Sequence, residues 1–350
     1  MMKIDLKIIA VMLVSAFLSA CGAGVDVASN GDGITGTGIT AGRVTGFGSI
    51  CVNGIKFDVD NADFTRDGDT ITPTNQSDFS IGEYIVIKGS VSADRTTGIA
   101  SEVIFEDLLE GVVTQASNYD GNQDTVEILG QQVMIDRNTV LIDDRKGSPA
   151  RPVKSLSVCE LPDFVPFNLA DLTAGNIVEV SGVKDAAGLI KATSIKWKKD
   201  KFVEGSENEV KGAVSNLNTV EKTFKLGAIL VDYSGASFDG FNEQDLLDGQ
   251  YVEAKSDTDV VDNTLVATKI KLKDEHLTVV IGSEVEIEGL VTSFTSIQNF
   301  DVNGVPVTTN SETVYKGGIA SDISEDSEIE VKGKVNNNGV LVAEEIEFED

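Results

Sequence analysis

The chain has 350 residues, 57 acidic against 28 basic, with a formal net charge of −29 and a pI near 4.3. Its hydrophobic content of 41% supports packed cores over about two to four domains, which excludes wholesale disorder. Such acidity repels a phosphate backbone and disfavours nucleic acid as a partner, and a single histidine cannot build a multi-His metal site.

Residues 1–20 read as a lipoprotein signal peptide. Lys3 and Lys7 make a short positive region, and Ile8 to Phe17 is a largely apolar run of ten. That run is too short to span a bilayer, which takes about 20 residues. It ends in Leu18-Ser19-Ala20-Cys21-Gly22. The string resembles a bacterial lipobox, which implies cleavage after Ala20, a diacylglycerol thioether on Cys21 and acylation, for example with palmitate, of the new amino terminus. At about 0.8 kcal/mol per buried methylene, several such chains anchor a protein durably. Gly22, rather than Asp, after the cysteine implies the outer membrane. No later apolar stretch exceeds strand length, so the body is expected to be soluble and tethered.

Residues 21–41 are rich in Gly, Ser, Asn and Thr and read as a flexible tether. Gly31-Asp32-Gly33-Ile34-Thr35-Gly36 matches G-x-G-x-x-G in letters, but that motif needs a strand before it and a helix after it. Here a tether precedes it and a β-like run follows.

An internal repeat organises the rest. Each copy opens on Gly-x-Val-(Thr/Ser), at Gly42, Gly111, Gly212 and Gly289, and closes on Ala-x-x-(Val/Ile)-x-(large apolar), at Ala100, Ala192, Ala267 and Ala343. The Gly-to-Ala separations are 58, 81, 55 and 54 residues, the second lengthened by an insertion at about 144–172. A middle block begins at Gly82, Gly175 and Gly249, with Ser327 taken as the replacement in the fourth copy. Hydrophobic period is two, as in Glu284-Val285-Glu286-Ile287-Glu288, the pattern of half-buried strands with one wet face. Asn53-Gly54, Asp67-Gly68, Asp120-Gly121, Asn303-Gly304 and Asn338-Gly339 mark turns. Helical turns are expected only at 169–172 and 243–247. Closure removes the edges of short sheets, so the expected fold is all-β: four tandem OB-like barrels of five to six strands, at 42–107, 108–197, 209–275 and 284–350.

The run "GRVTGFGSICVNGIKFD" at 42–58, with Gly46-Phe47-Gly48-Ser49, Val52-Asn53-Gly54 and Phe57, resembles the opening of the DUF5666 domain. The resemblance is strongest in the first copy; Phe300-Asp301-Val302-Asn303-Gly304 echoes it in the fourth. It implies an OB-like barrel in a lipoprotein-associated module and brings no activity or catalytic residues.

Candidate chemistry is sparse. His276 stands alone in a charged linker with no G-x-S-x-G partner, and reads as a solvated side chain. Asp58, Asp60 and Asp63, then Asp67 and Asp69, then Asp120, Asn122 and Asp124, and Asp257, Asp259 and Asp262 are oxygen-rich clusters that offer calcium ligands or are simply hydrated turns. None meets the EF-hand pattern, since Thr125 and Gln131 stand where Gly and Glu are needed if Asp120 is position one. Phe47, Phe57, Tyr84 and Phe105 offer a ligand face or a core; large apolar residues interchange with Phe105 in the other copies, which favours core. With Cys21 lipidated, Cys51 and Cys159 remain as a candidate disulfide.

The function expected from these features is a non-enzymatic, lipid-anchored cell-envelope protein, a binding or spacer array needing no cofactor. The alternatives are a ligand-binding lipoprotein for saccharide, peptide or calcium, and a hydrolase using paired carboxylates. Its partners would be the membrane, through Cys21, and an envelope protein or glycan. The fourth repeat carries 15 acids against 3 bases from residue 276 onward. As the far end of an array, it would be held off an anionic membrane.

Overall fold

The computed structural model describes residues 38–70, 78–119, 124–147, 159, 161 and 164–349. Cys21, the Gly31–Gly36 motif, Asp120 and Asn122 lie outside them. Every regular element described is a strand or a short 3-10 turn, and Leu169–Asp171 and Glu243–Asp245 are two of those turns.

The first repeat contains β1 (Gly38–Phe47), β2 (Ile50–Val52), β3 (Ile55–Asp58), β4 (Asp63–Arg66), β5 (Asp69–Thr70), β6 (Tyr84–Val91) and β7 (Thr97–Phe105). Strands pair in the ring β1-β2-β3-β7-β6-β1, antiparallel throughout except for the parallel β3–β7 step. This is a closed five-stranded, OB-like barrel. Thus β1 begins at Gly38, inside the stretch read as tether.

The second repeat, β8 (Leu109–Tyr119), β9 (Asp124–Ile128), β10 (Gln131–Ile135), β11 (Val140–Asp143), β12 (Ile177–Lys184) and β13 (Ile190–Lys199), closes the same ring. So does the third, with β14 (Asn208–Asn218), β15 (Thr223–Leu226), β16 (Ile229–Asp232), β17 (Ser237–Asp239), β18 (Tyr251–Ser256), β19 (Thr264–Val266) and β20 (Lys269–Leu272). The fourth does so with β21 (Glu284–Ser296), β22 (Asn299–Val302), β23 (Val305–Thr308), β24 (Val314–Lys316), β25 (Glu328–Val335) and β26 (Leu341–Phe348).

Local chemistry explains the shared ring. The turns Asn53-Gly54, Leu129-Gly130 and Asn303-Gly304 hold both residues at positive φ, the geometry that two-residue hairpins require. The middle block is fastened identically in all four copies. Gly82, Gly175, Gly249 and Asp326 donate N–H to the carbonyls of Val44, Val113, Val214 and Val291, whose own N–H groups donate to the residue after each donor. The first residue of each block has positive φ, so the fourth-copy counterpart of the glycine is Asp326 at 66°, not Ser327. Gly89, Gly182 and Gly333 mark a bulge against the closing strand, where an added Cβ would stand 2.0–2.1 Å from a backbone carbonyl oxygen. Ser256 holds that place in the third repeat, and there the closing strand is split into β19 and β20.

The barrels are not beads in a row. Strand β1 pairs in parallel with β21, joining the first barrel to the fourth, and β8 pairs antiparallel with β14, joining the second to the third. Ile39 and Ala41 of the first barrel enter the apolar cluster of the fourth, and one cluster runs through the second and third. The expectation that the fourth repeat is a far end fails, because its β21 is hydrogen-bonded to the first strand of the first barrel.

The expectation of a wet charged face fails for part of the charge as well. Glu179, Glu209, Lys211, Glu253, Glu286, Glu288 and Glu330, all on the outer sides of barrel strands, are buried. Alternation in a strand separates two faces; it does not say whether water or another barrel covers the second.

Candidate functional site

The buried charges come from equivalent positions. Register aligns three outward residues per barrel, on the opening, middle and closing strands. They are Ala41–Val86–Ile104 in the first barrel, Glu110–Glu179–Lys196 in the second, Lys211–Glu253–Lys271 in the third and Glu288–Glu330–Glu347 in the fourth. The apolar row of the first barrel packs against the fourth, where Val86 touches its core. The charged rows of the second and third meet further charges from the first.

Two ionic knots result. In one, Arg66 of β4 contacts Glu83 at 2.9 Å and Glu179 at 2.7 Å, with its guanidinium 4.0 Å over the Phe105 ring. Lys196 adds pairs with Glu83 and with Glu179, the latter at 3.0 Å. Burial works against the Glu179 charge, yet Lys196, Arg66 and Lys198 outweigh it and hold the carboxyl well below its ordinary range. In the other, Lys211 lies 2.7 Å from Asp107, 2.5 Å from Glu209 and 3.7 Å from Asp67. Burial opposes the ammonium, but these carboxylates prevail and Lys211 stays protonated. Burial likewise raises Glu209, and Lys211 with Lys255 more than reverses it, to about 2.

A cavity of about 280 Å³ opens beside the second knot at the junction of the first three barrels. Asp67, Asp69, Asp107, Glu110, Glu207 and Glu209 line it, against Arg66 and Lys255. Burial, against the pull of Lys198, raises Glu110 to about 7. Among the described residues, Asp67, Asp107 and Glu209 are the group whose ligand oxygens lie within 4.8 Å of one another. Lys211 already supplies the positive charge there.

Of the residues singled out from sequence, Asp67 and Asp69 line this cavity and the others fall elsewhere. Asp58 and Asp60 are exposed, and Asp60 donates its N–H to Asp58 Oδ1. Asp124 accepts from Ser117 in the second barrel. Cys51, buried in β2, is bonded to Cys159, with S–S 2.03 Å and Cα–Cα 6.1 Å, which ties the insertion of the second repeat to the first barrel. His276 is about half exposed and packs its ring over Gly304. Phe47, Phe57 and Phe105 are core residues, while the Tyr84 hydroxyl donates to the carbonyl of Glu288 at 2.7 Å. Sequence reasoning picked out Asp67 but missed Asp107, Glu209 and Lys211. The available signal was a charged residue directly before the opening glycine in three copies, Glu110, Lys211 and Glu288, with Ala41 in the first.

A family model, the domain of unknown function DUF5666, matches residues 110–196, 211–271 and 288–347. These are the second, third and fourth barrels. The first repeat, where the resemblance reads most strongly, lies outside the matched residues, although its strands close the same ring. No curated protein matches the chain.

Proposed function

Because the chain belongs to the DUF5666 family, as three matched copies over more than half its length establish, we propose that it is a non-enzymatic, lipid-anchored protein of the bacterial cell envelope whose four barrels act as one compact binding body. The observation that supports the compact body is the sheet pairing of the first barrel with the fourth and of the second with the third, with charged strand faces between them. A spacer would present separate barrels on open linkers. The lipid anchor rests on the Leu18-Ser19-Ala20-Cys21 string. Outer-membrane sorting follows from Gly22, and an envelope protein or glycan remains the proposed partner. The first repeat is a fourth, divergent copy, its outer row made apolar by the fourth barrel it packs against.

The test of the anchor is labelling with palmitate and membrane fractionation of the full chain. The wild type should label and sediment with the outer membrane, and Cys21→Ser should lose both. Labelling that persists in Cys21→Ser would overturn the proposal.

A second reading, ligand binding, is favoured by the cavity at the three-barrel junction. Six carboxylates against two bases select a small cation or a basic peptide group over a neutral saccharide. Thermal shift with calcium, with a lysine-rich peptide and with glycans separates these, and a shift with glycan alone would refute the cationic preference. The hydrolase alternative has its nearest counterpart in Asp67, Asp107 and Glu209, whose carboxylates share the Lys211 ammonium at 2.5–3.7 Å.

A further inference from the structure

One end of the seam between the first and fourth barrels gathers the starts and turns of several strands. β1 begins at Gly38 and runs parallel to β21, with Ile39 beside Val285, so both strands start at this end. β6 runs antiparallel to β1 with Gly89 opposite Gly38, which brings the β6–β7 turn (92–96) here. β25 runs antiparallel to β21 with Lys334 opposite Glu284, which brings the β25–β26 turn (336–340) here too.

Large apolar side chains stand in the open at this end. Val280 and Ile281, in the turn that leads into β21, are 59% and 58% exposed, and Ile99, opposite Ser90 on the β6–β7 hairpin, is 65% exposed. Backbone bonds keep the turn from folding back. Ser283 donates its N–H to the carbonyl of Val280 at 3.0 Å, and Gly282, at φ 84°, supplies the left-handed residue of that turn. The Gly282 N–H and the Ser283 carbonyl both bond Val335 of β25. Leu277 and Val279, just upstream, already pack against the core of the fourth barrel, so Val280 and Ile281 are the pair left outside. Charge is balanced here. Segments 92–96, 280–284 and 334–340 hold Asp94 and Glu284 against Arg95 and Lys334, with Glu284 3.9 Å from Lys334. At the opposite end of β25, segment 320–328 holds four acids and no base.

We propose that this end of the β1–β21 seam is the face the body lays on a lipid surface, with Val280, Ile281 and Ile99 entering the headgroup region. The inference rests on the lipid anchor at Cys21 and adds an orientation to it. Gly38 follows Cys21 by seventeen residues, a chain that spans at most about 60 Å, and it joins the body where β1 starts. The end that holds Gly38 is therefore the one drawn to the bilayer. Anchoring supplies the affinity, and the three apolar side chains decide which face meets the lipid. The balanced charge of this end meets no repulsion from an anionic headgroup layer. The acidic 320–328 end lies farther off by the length of β21 from Glu284 to Leu290, about 20 Å.

The test is tryptophan quenching of the lipidated full chain in vesicles of phosphatidylcholine with brominated acyl chains, read against the same lipid without bromine. Trp197, 6% exposed in the second barrel, is the built-in reference, and the wild type should lose no emission. A side chain seated about 5–10 Å into the headgroup boundary meets the quencher, so Ile281→Trp should lose roughly a third or more of its added emission. Ile99→Trp, on the first-barrel side of the same end, should follow it. Ile319→Trp should lose none: Ile319 is 62% exposed, beside Gly318, which lies against the Phe348 ring at the opposite end of the fourth barrel. No loss from Ile281→Trp and Ile99→Trp, in chains that float with their vesicles, would overturn the contact and leave the anchor standing. Equal loss from Ile319→Trp would overturn it as well, since no one end would then face the lipid. A chain that does not float with the vesicles would overturn the anchor, and the orientation with it.

Discussion

At the bulge of the fourth barrel, Gly333 leaves no room for a side chain. A Cβ there would lie 2.0 Å from the carbonyl oxygen of Val342, a backbone atom that cannot swing away. Gly333→Ala should therefore cost about 1–3 kcal/mol, as overpacking does. Gly235 has ordinary φ and open space around it, so Gly235→Ala should be neutral or stabilising by about 0.4–1 kcal/mol through the unfolded chain. Urea denaturation of the two variants checks the pair. The glycines that open each repeat and its middle block, such as Gly42 and Gly82, are legible in the sequence as landmarks, whereas the bulge glycines are not. The middle-block substitution was not: Asp326 takes up the positive φ that Gly supplies elsewhere, and a motif anchored on small residues pointed one position too far, to Ser327.

At the level of elements, alternation along each strand identified the inward residues correctly, because Val, Ile and Phe at every second place have one use. The outward residues were ambiguous. Glu-x-Glu-x-Glu in β21 reads the same whether water or a neighbouring barrel covers it, and the pairing of β1 with β21 spans most of the chain, so nothing local announces it. The candidate site shared that fate, since Asp67 and Asp107 belong to the first repeat and Glu209 to the third, and they meet only when the barrels do. Lys211 holds that meeting together. Lys211→Met should destabilise by about 3–5 kcal/mol by leaving Asp107 buried without a counter-charge and Glu209 with Lys255 alone, and adding Asp107→Asn should restore part of the loss. Denaturation midpoints of the single and double variants decide it; an unaffected single variant would mean that the knot is exposed to water.

For the whole molecule, the same burial sets the pH dependence. Glu110 and Glu330 are raised to about 7 and about 8 in the folded state, so each contributes stability below its ordinary range that is lost as pH rises through those values. Glu209, lowered to about 2, contributes stability above its ordinary range that is lost as pH falls towards 2. These groups should therefore make thermal stability highest near about pH 4.5, falling as pH rises from there to about 8 and falling again below about 4.5. A melting temperature that climbs steadily from pH 6 to pH 9 would contradict this. The net charge of −29 thus has two parts: an exposed share that faces solvent, and a buried share matched by Lys196, Lys211 and the arginines between the barrels.

The central claim is that four repeats close into one body. Small-angle X-ray scattering of the mature chain with Cys21→Ser measures it most directly. A radius of gyration of about 20 Å is expected for a single compact unit of this length. A value near 30 Å, roughly that of four small barrels in a row, would contradict the pairing of the first barrel with the fourth.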